Sequence, residues 1–570
     1  MKQINKLSLS FVAMLVALYG GVAEAQTTQR SLEITNPALL EQKIEEKSNL
    51  PQSELPGSKV SRPFPKMSEK MVGVKFQVER VEFVDGTVFS NAQLQEMAKP
   101  YIKKEITLKD LYALASEVSK LYQNKGYILS RAVVPPQQIG KGGVAKIQLI
   151  EGYVDSIHYE GEVSRISERA KRYAEKIKNS IPLNTRDLER YLLLMKDLPG
   201  FEVETVLKPS SSHSKASQLV IIAKRKILEG SVGINNYGSR YVGPYMVHGM
   251  VGSNSIMGID DKLSVHAALT EKTGQMRHGM FSYDQFVGSE GTKVGVNGSL
   301  TQTRPGDTLS LLHIKGNTKA LGFSLSHPVL RSRSQSFYVG TTFAMRNVKS
   351  GVLGNAVVSK DKLRVVGFNF AWDVADKLSG INLLNMELTQ GIAGLGASSN
   401  NNPHKSRVKG RYDFTKLNID FSRLQALWGK FSLFGIVNYQ LAFQPLVSAE
   451  RFNYGGSSHF RGYTDAPIAG DTGIKEKIEL RYGEDRSLVA KNPFLSFYQL
   501  YCFYGFGTAW NKKPSNDERK QTSAPEVGGG IRLAFFKNTS FNLEAVKPLR
   551  RKVAGVKNPG SVFFSLTQKF

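Results

Sequence analysis

Residues 561–570 read Ser-Val-Phe-Phe-Ser-Leu-Thr-Gln-Lys-Phe, with Val562, Phe564, Leu566, Gln568 and Phe570 at every second position and Ser565, Thr567 and Lys569 between them. Alternation of this kind belongs to an extended strand, whose successive side chains point to opposite faces. The same texture recurs upstream. In Ile474–Tyr482, Ile474, Ile478, Leu480 and Tyr482 share one face, while Lys475, Lys477, Glu479 and Arg481 share the other; Glu476 is the exception on the apolar side. A strand with an apolar face and a charged face is the wall of a membrane barrel with a wet lumen, and strict period two sends Glu479 inward.

Working outward, residues 227–570 hold sixteen such segments. Eleven precede residue 446, among them Tyr338–Asn347, Ile381–Leu388, Tyr412–Phe421 and Phe431–Leu441. Five follow a long loop at 444–473, near Ile474–Tyr482, Phe494–Trp510, Glu526–Phe536, Ser540–Val546 and Ser561–Phe570. An even number suits a bacterial barrel, and sixteen strands enclose a lumen wide enough for an extended chain. Past the leader, no uncharged apolar run reaches the roughly 18 residues a membrane helix needs, which excludes a helical membrane protein.

The N-terminus carries Lys2 and Lys6, an apolar run from about Leu7 to Val22, and Ala23-Glu24-Ala25 before Gln26. This is the layout of a cleavable secretory signal over residues 1–25. Cys502 is the only cysteine, so neither an intrachain disulfide nor a thiolate metal cluster is expected. The formal charge is +27, and removing Lys2, Lys6 and Glu24 with the leader leaves +26. Such a charge can mark a nucleic-acid binder. Here the basic residues are scattered, which favours anionic lipid head groups or a cationic pore lining, and no nucleic-acid partner is expected.

Residues 26–75 offer one helix, Pro37–Ser48, and a Pro-rich linker from Pro51 to Pro65. Two small α+β units follow, at 76–152 and 153–226. In the first, Phe76, Val78, Val81 and Phe83 mark a strand. Ser90 caps a helix over Asn91–Lys99, and Thr107 caps a second whose Leu111, Leu114, Ala115, Val118, Leu121 and Tyr122 form one stripe. Strands Tyr127–Val134 and Val144–Glu151 close it. The second unit repeats the order: strand Val154–Tyr159, helices Ser164–Asn179 and Thr185–Leu198, and strands Phe201–Leu207 and Gln218–Ala223.

Within the long loop the sequence runs Glu450-Arg451-Phe452-Asn453-Tyr454-Gly455-Gly456-Ser457-Ser458-His459-Phe460-Arg461-Gly462-Tyr463, then Gly470-Asp471-Thr472-Gly473 and Glu479-Leu480-Arg481. This resembles the signature of the TpsB transporters of two-partner secretion, of haemolysin-activator or haemagglutinin-secretion type. Pro135-x-Gln137 with Ile147-x-Leu149-Ile150-Glu151-Gly152 resembles the end of that family's first polypeptide-transport-associated (POTRA) domain, and Ser326-His327-Pro328-Val329 resembles a Ser-x-Pro-Leu turn in its barrel. The terminal strand ending in Phe570 resembles the signal read by the outer-membrane barrel assembly machinery.

The resemblance implies an all-β transmembrane barrel of about 16 antiparallel strands behind two POTRA domains and an N-terminal helix with linker. It implies a pore in a Gram-negative outer membrane that takes an unfolded exoprotein from its periplasmic POTRA domains and secretes it. Its partners would be a large TpsA-like client folding outside into a β-solenoid, outer-membrane lipids and lipopolysaccharide, and the barrel assembly machinery. One departure stands out. The family places Phe-x-Asp-x-Gly in its thirteenth strand as an acidic partner for the loop arginine, whereas this chain reads Phe503-Tyr504-Gly505-Phe506-Gly507.

The loop tip Phe460-Arg461-Gly462-Tyr463 is therefore expected in the lumen, with Gly455, Gly456, Gly470, Asp471 and Gly473 shaping the loop. Gly462 permits a tight backbone, Arg461 offers a planar five-donor fork, and Phe460 and Tyr463 wedge against the wall. Glu479 is the expected partner of Arg461 in place of the missing aspartate. No His-Glu-x-x-His, Gly-x-Ser-x-Gly or phosphate-binding loop occurs, so neither catalysis, cofactor nor metal is expected. A barrel-insertion factor of the same superfamily and a passive porin or receptor stand as alternatives. More POTRA domains are usual in the former, and none is needed in the latter.

Overall fold

The computed structural model describes residues 36–45, 75–139, 143–353, 356–456, 459–465, 468–485, 494–516, 518–536, 538–550, 552–553 and 556–570. The expected leader, the last three residues of the helix expected over Pro37–Ser48 and the whole linker from Pro51 to Pro65 lie outside them. Helix α1 (Pro37–Glu45) opens with proline in its first turn, where no N–H is missed, and the Ala38 N–H donates to Asn36 Oδ1 at 2.9 Å.

The first small unit comprises β1 (Lys75–Val78), β2 (Arg80–Val84), α2 (Asn91–Ala98), β3 (Lys104–Thr107), α3 (Leu108–Asn124), β4 (Arg131–Val133) and β5 (Val144–Ile150). The single strand expected over Phe76–Phe83 is two strands in separate sheets, β1 paired with β3 and β2 with β5. Val78 and Val81 are both fully buried, and in an unbroken strand they would face opposite ways. The break at Glu79, whose N–H donates to Gly143 O at 2.7 Å, turns both inward. Ser90 and Thr107 each close a capping box, with Gln93 and Asp110. The stripe of α3 packs on Ala145, Ile147 and Leu149 of β5, with Leu121 only half-buried beside it.

Two family motifs acquire reasons here. Gln137 extends the short β4, its amide donating to Lys146 O at 2.8 Å and accepting from Lys146 N–H at 2.7 Å. Glu151 accepts from the N–H groups of Thr87 and Val88 at 2.8 and 2.9 Å and from Tyr122 Oη at 2.7 Å, fastening the loop before α2 to the end of β5. Burial alone would raise this carboxyl, but the hydrogen bonds from Thr87, Val88 and Tyr122 outweigh it and hold it below its usual range.

The second unit contains β6 (Tyr153–Gly161), α4 (Glu168–Lys178), α5 (Thr185–Lys196), β7 (Phe201–Pro209) and β8 (Ala216–Arg225), in sheet order β6-β8-β7. Residues 163–165 form a separate short turn, so α4 starts only after its cap Ser167.

Sixteen strands then close a barrel. The first six are β9 (Leu228–Asn235), β10 (Met246–Asn254), β11 (Asp261–Thr270), β12 (Met276–Val287), β13 (Thr292–Thr303) and β14 (Lys315–Arg331). Next come β15 (Gln335–Val352), β16 (Ala356–Ala375), β17 (Gly380–Gly391), β18 (Thr415–Ala426) and β19 (Phe431–Ala442). The long loop carries its own hairpin, β20 (Phe452–Tyr454) and β21 (Ile468–Gly470). The wall resumes with β22 (Thr472–Asp485), β23 (Leu495–Trp510), β24 (Gln521–Phe535) and β25 (Thr539–Pro548). A second loop hairpin, β26 (Lys552–Val553) and β27 (Val556–Lys557), precedes β28 (Ser561–Lys569), which pairs with β9 from Ser565↔Asn235 to Lys569↔Ser231. Neither loop hairpin was expected from the sequence.

Period two sorts the faces as expected. Lys475, Lys477, Glu479 and Arg481 of β22 are buried, whereas Ile478, Leu480 and Tyr482 are exposed on the outer wall. Ser326-His327-Pro328-Val329 is not a turn. It lies inside β14, at an irregularity between Pro328 and Leu330 that accommodates the missing proline N–H.

The second small unit is bolted to the near rim of the barrel. Asp260 accepts from Arg225 at 2.7 Å and pairs with Arg169 at 3.3 Å, and Arg169 also donates to Phe286 O at 2.7 Å. Arg331 grips Asp197 through two hydrogen bonds of 2.8 and 2.7 Å. Phe286 enters the apolar core of this unit. The turn at Glu290, held by Arg190 at 3.1 Å, is therefore on the same side of the membrane as the two small units, and the opposite rim faces outside.

Candidate functional site

The long loop folds back into the barrel, with its root and its tip anchored separately. At the root, Asp471 is fully buried and accepts from Arg407 Nη1, Leu446 N–H and Lys512 N–H, each at 2.7 Å. Arg407 also donates to both oxygens of Glu518, at 2.7 and 3.0 Å. One arginine thus ties the loop before β18, the root of the long loop and the loop between β23 and β24. Gly473 keeps the wall open beside it, since a Cβ there would lie 2.1 Å from the Phe452 ring.

At the tip, Phe460 and Tyr463 are fully buried and pack with tilted rings against Tyr454, at 5.2 and 5.9 Å between ring centroids. Gly455 and Gly456 take positive φ angles of 104° and 73°, conformations that favour glycine, and reverse the chain after β20. Tyr463 Oη donates to Pro525 O at 2.6 Å. The Gly462 N–H donates to Glu526 Oε2 at 2.7 Å, and a Cβ on Gly462 would sit 2.5 Å from that oxygen.

The partner of Arg461 is Glu544 of β25, not Glu479. Arg461 Nη1 donates to Glu544 Oε1 at 2.7 Å, Tyr501 Oη donates to Glu544 Oε2 at 2.8 Å, and the guanidinium lies over the Tyr237 ring at 4.1 Å. Glu479 does face the lumen, but it is taken by Arg481 at 2.7 Å, Arg532 at 3.1 Å and Lys477 at 3.4 Å. Lys477 bridges the two carboxylates, lying 3.7 Å from Glu544 and donating to His459 O at 2.8 Å. Nor does Gly505 leave a vacancy. A Cβ there would lie 3.0 Å from Glu526 Cγ, so Glu526 of β24 occupies the room that an aspartate on β23 would need. The acidic wall has moved one and two strands along.

Sequence reasoning missed Glu526 and Glu544, although the same period-two count that found Glu479 sends both inward. What it lacked was any ranking among three lumen-facing glutamates. Arg407 was missed as well, because it sits in a loop with no pattern.

Helix α1 lies in the lumen. Glu41 hydrogen-bonds Ser299 on the inner face of β13, and Ala38 shares an apolar cluster with Val348, Leu363, Phe414, Leu446 and Ala449. Glu450, at the loop root, pairs with Lys416 at 2.8 Å and Arg346 at 3.1 Å on the wall next to that cluster. Helix, loop root and wall thus pack together and take up part of the lumen. No group of side chains among the described residues could hold a metal ion.

The model of the haemolysin secretion/activation family ShlB/FhaC/HecB matches residues 216–533, and that of the ShlB-type POTRA domain matches residues 76–152. A heme/hemopexin transporter, HuxB of Haemophilus influenzae (strain 86-028NP), is 24% identical over 84% of this chain and 85% of its own. The outer membrane transporter CdiB of Dickeya dadantii is 22% identical over 73% of this chain and 74% of its own. The solved structure of CdiB from Escherichia coli superposes with a TM-score of 0.72 at 20% identity, covering 96% of this chain and 98% of that one.

Proposed function

The chain belongs to the ShlB/FhaC/HecB haemolysin secretion/activation family, and from that premise we propose that residues 76–152 and 153–226 receive an unfolded client while residues 227–570 pass it outward. The protein is an outer-membrane translocator of two-partner secretion, with its POTRA domains in the periplasm and a secreted exoprotein as its partner.

The observation that carries the proposed mechanism is the occupied lumen. An extended client needs that space, so α1 and the loop tip must yield while the wall stays paired. Helix α1 can leave without breaking a strand pairing, because among the described residues it joins no sheet. The edge of β7 offers main-chain groups to which an extended segment can add, whatever its side chains. Folding of the client outside would bias the passage. The loop tip, clamped by Glu544 and Glu526, is the element whose release would set the width of the lumen. Outer-membrane lipids and lipopolysaccharide around the wall, and the barrel assembly machinery reading Phe570, complete the proposed partners.

A chain without residues 76–226 should still insert and migrate anomalously in unheated detergent gels, yet leave its client in the periplasm. Normal export by that truncation would move recognition into the barrel, and recovery as a soluble periplasmic protein would end the reading. A neighbouring reading frame encoding a very large, repetitive exported protein is expected.

A further inference from the structure

The outer wall across β13–β16 carries a pattern that export does not use. Strand register sets two rows of outward side chains near the external rim: Leu300, Lys319, Asn347 and Lys362 in one, Gln302, Asn317, Lys349 and Lys360 in the next. The intervening positions Thr301, Thr318, Val348, Asp361 and Leu363 are buried against the lumen filling, which fixes the lysine rows on the outside. With Arg304 and Lys315, the rows border an open hollow of about 560 Å³. Two rows nearer the periplasm the same strands present Val296, Phe323, Phe343 and Val366, the start of the lipid-facing band.

Two features of this patch call for an anion. Lys349 and Lys360 are direct partners across the antiparallel pair β15–β16, a placement in which like charges repel. Lys315, Lys319, Lys349, Lys360 and Lys362 form no ion pair among the described residues, and the one acid bordering the hollow, Asp361, points inward and accepts from Tyr412 Oη at 2.6 Å. Five ammonium groups thus stand together where the apolar band gives way to the head groups of the outer leaflet.

We propose that this face binds the phosphorylated glycolipid of the outer leaflet, the lipid A end of lipopolysaccharide, with its phosphates among Lys319, Lys349, Lys360 and Lys362 and its acyl chains along Phe323 and Phe343. The proposal rests on the outer-membrane placement given above and assigns the lipid to one side of the barrel. A client in transit travels through the lumen and does not meet these side chains. A phosphorylated head group supplies the compact, multiply charged acceptor that closely spaced ammonium groups require.

The test uses the full-length protein in detergent, titrated with bis-phosphorylated lipid A and, separately, with the same lipid stripped of phosphate. Replacing Lys319, Lys349, Lys360 and Lys362 by glutamine should weaken binding of the phosphorylated lipid by about tenfold or more, and replacement by arginine should preserve it. Wild-type binding should fall with added salt and drop by a similar factor for the stripped lipid. Equal binding by the glutamine variant, or indifference to the phosphates, overturns the proposal. So does a glutamine variant that loses secretion while keeping lipid A, because the face would then serve the client. Anomalous gel migration confirms that each variant is folded, with Lys349→Gln and Lys360→Gln tested singly if the fourfold variant does not fold. Failure of the wild type itself to behave as a barrel would instead count against the outer-membrane placement.

Discussion

The two ends of the long loop use the same chemistry to different effect. At the root, every oxygen of Asp471 and both oxygens of Glu518 have donors, and Arg407 spends its fork on two carboxylates and backbone carbonyls. At the tip, Arg461 Nε and Glu526 Oε1 are buried without a hydrogen bond. A saturated buried pair is costly to break, whereas an incompletely satisfied one has already lost part of what holds it. The difference assigns anchoring to the root and release to the tip.

The largest expected effect follows from breaking the root. Asp471→Ala leaves Arg407 buried beside unmatched donors, which should cost roughly 3–5 kcal/mol. The measurable outcome is a sharp fall in the temperature at which the folded gel form converts to the unfolded one, with little inserted protein. An Asp471→Ala protein as stable as a tip variant would erase the distinction between the ends.

Next come Arg461→Ala and Glu544→Gln, each expected to cost about 1–3 kcal/mol of loop docking. Both should lower secretion while leaving insertion intact, because a tip already loose before the client arrives can no longer couple its release to the client's entry. The double variant should be little worse than either single one, since one contact is lost in all three. Glu479→Gln should leave the tip docked. Additive losses from Arg461 and Glu544, read from client appearing in the medium, would show that the two act independently.

A smaller effect sharpens the relocation of the acidic wall. Gly505→Asp adds a carboxylate beside Glu526, and crowding with like charge should cost about 1–3 kcal/mol. Combining it with Glu526→Ala should recover much of the lost secretion. If Gly505→Asp is harmless alone, the aspartate and Glu526 do not compete for one place.

The smallest effect is a pH dependence at the root. Burial alone would raise the Glu518 carboxyl, but hydrogen bonds and attraction from Arg407 overcome it and hold it below its ordinary value. A depressed carboxylate contributes its stability above the unfolded value, about 4.3, and loses it as the pH falls through the folded value. The conversion temperature should therefore drop on acidification below about 4.3, and Glu518→Gln should flatten that part of the profile. A parallel profile in the variant would mean that other carboxylates dominate.

Legibility in the sequence followed the range of the forces involved. Sixteen strands, their inner and outer faces and the capped helices α2 and α3 rest on neighbours two to four residues apart, so alternation and caps were enough to find them. The break at Glu79 was hidden because Val78 and Val81 satisfy either reading until the position of Gly143 is known. The mount of the second POTRA domain was hidden altogether, since Arg169 and Asp260 meet only when the barrel closes.

By itself, then, the sequence determined the barrel and the two small domains before it, because backbone geometry imposes a period that side chains must obey. The entry of an arginine-tipped loop into the lumen followed only from the resemblance of its motif to a family signature. Tertiary structure alone decided which glutamate receives Arg461. Glu479, Glu526 and Glu544 all face inward by the same rule. A period of two assigns a face but neither a height nor a place around the ring. Those come from the register of adjoining strands, which sets Glu544 beside an arginine 83 residues away and leaves Glu479 to the cations of its own stretch of wall.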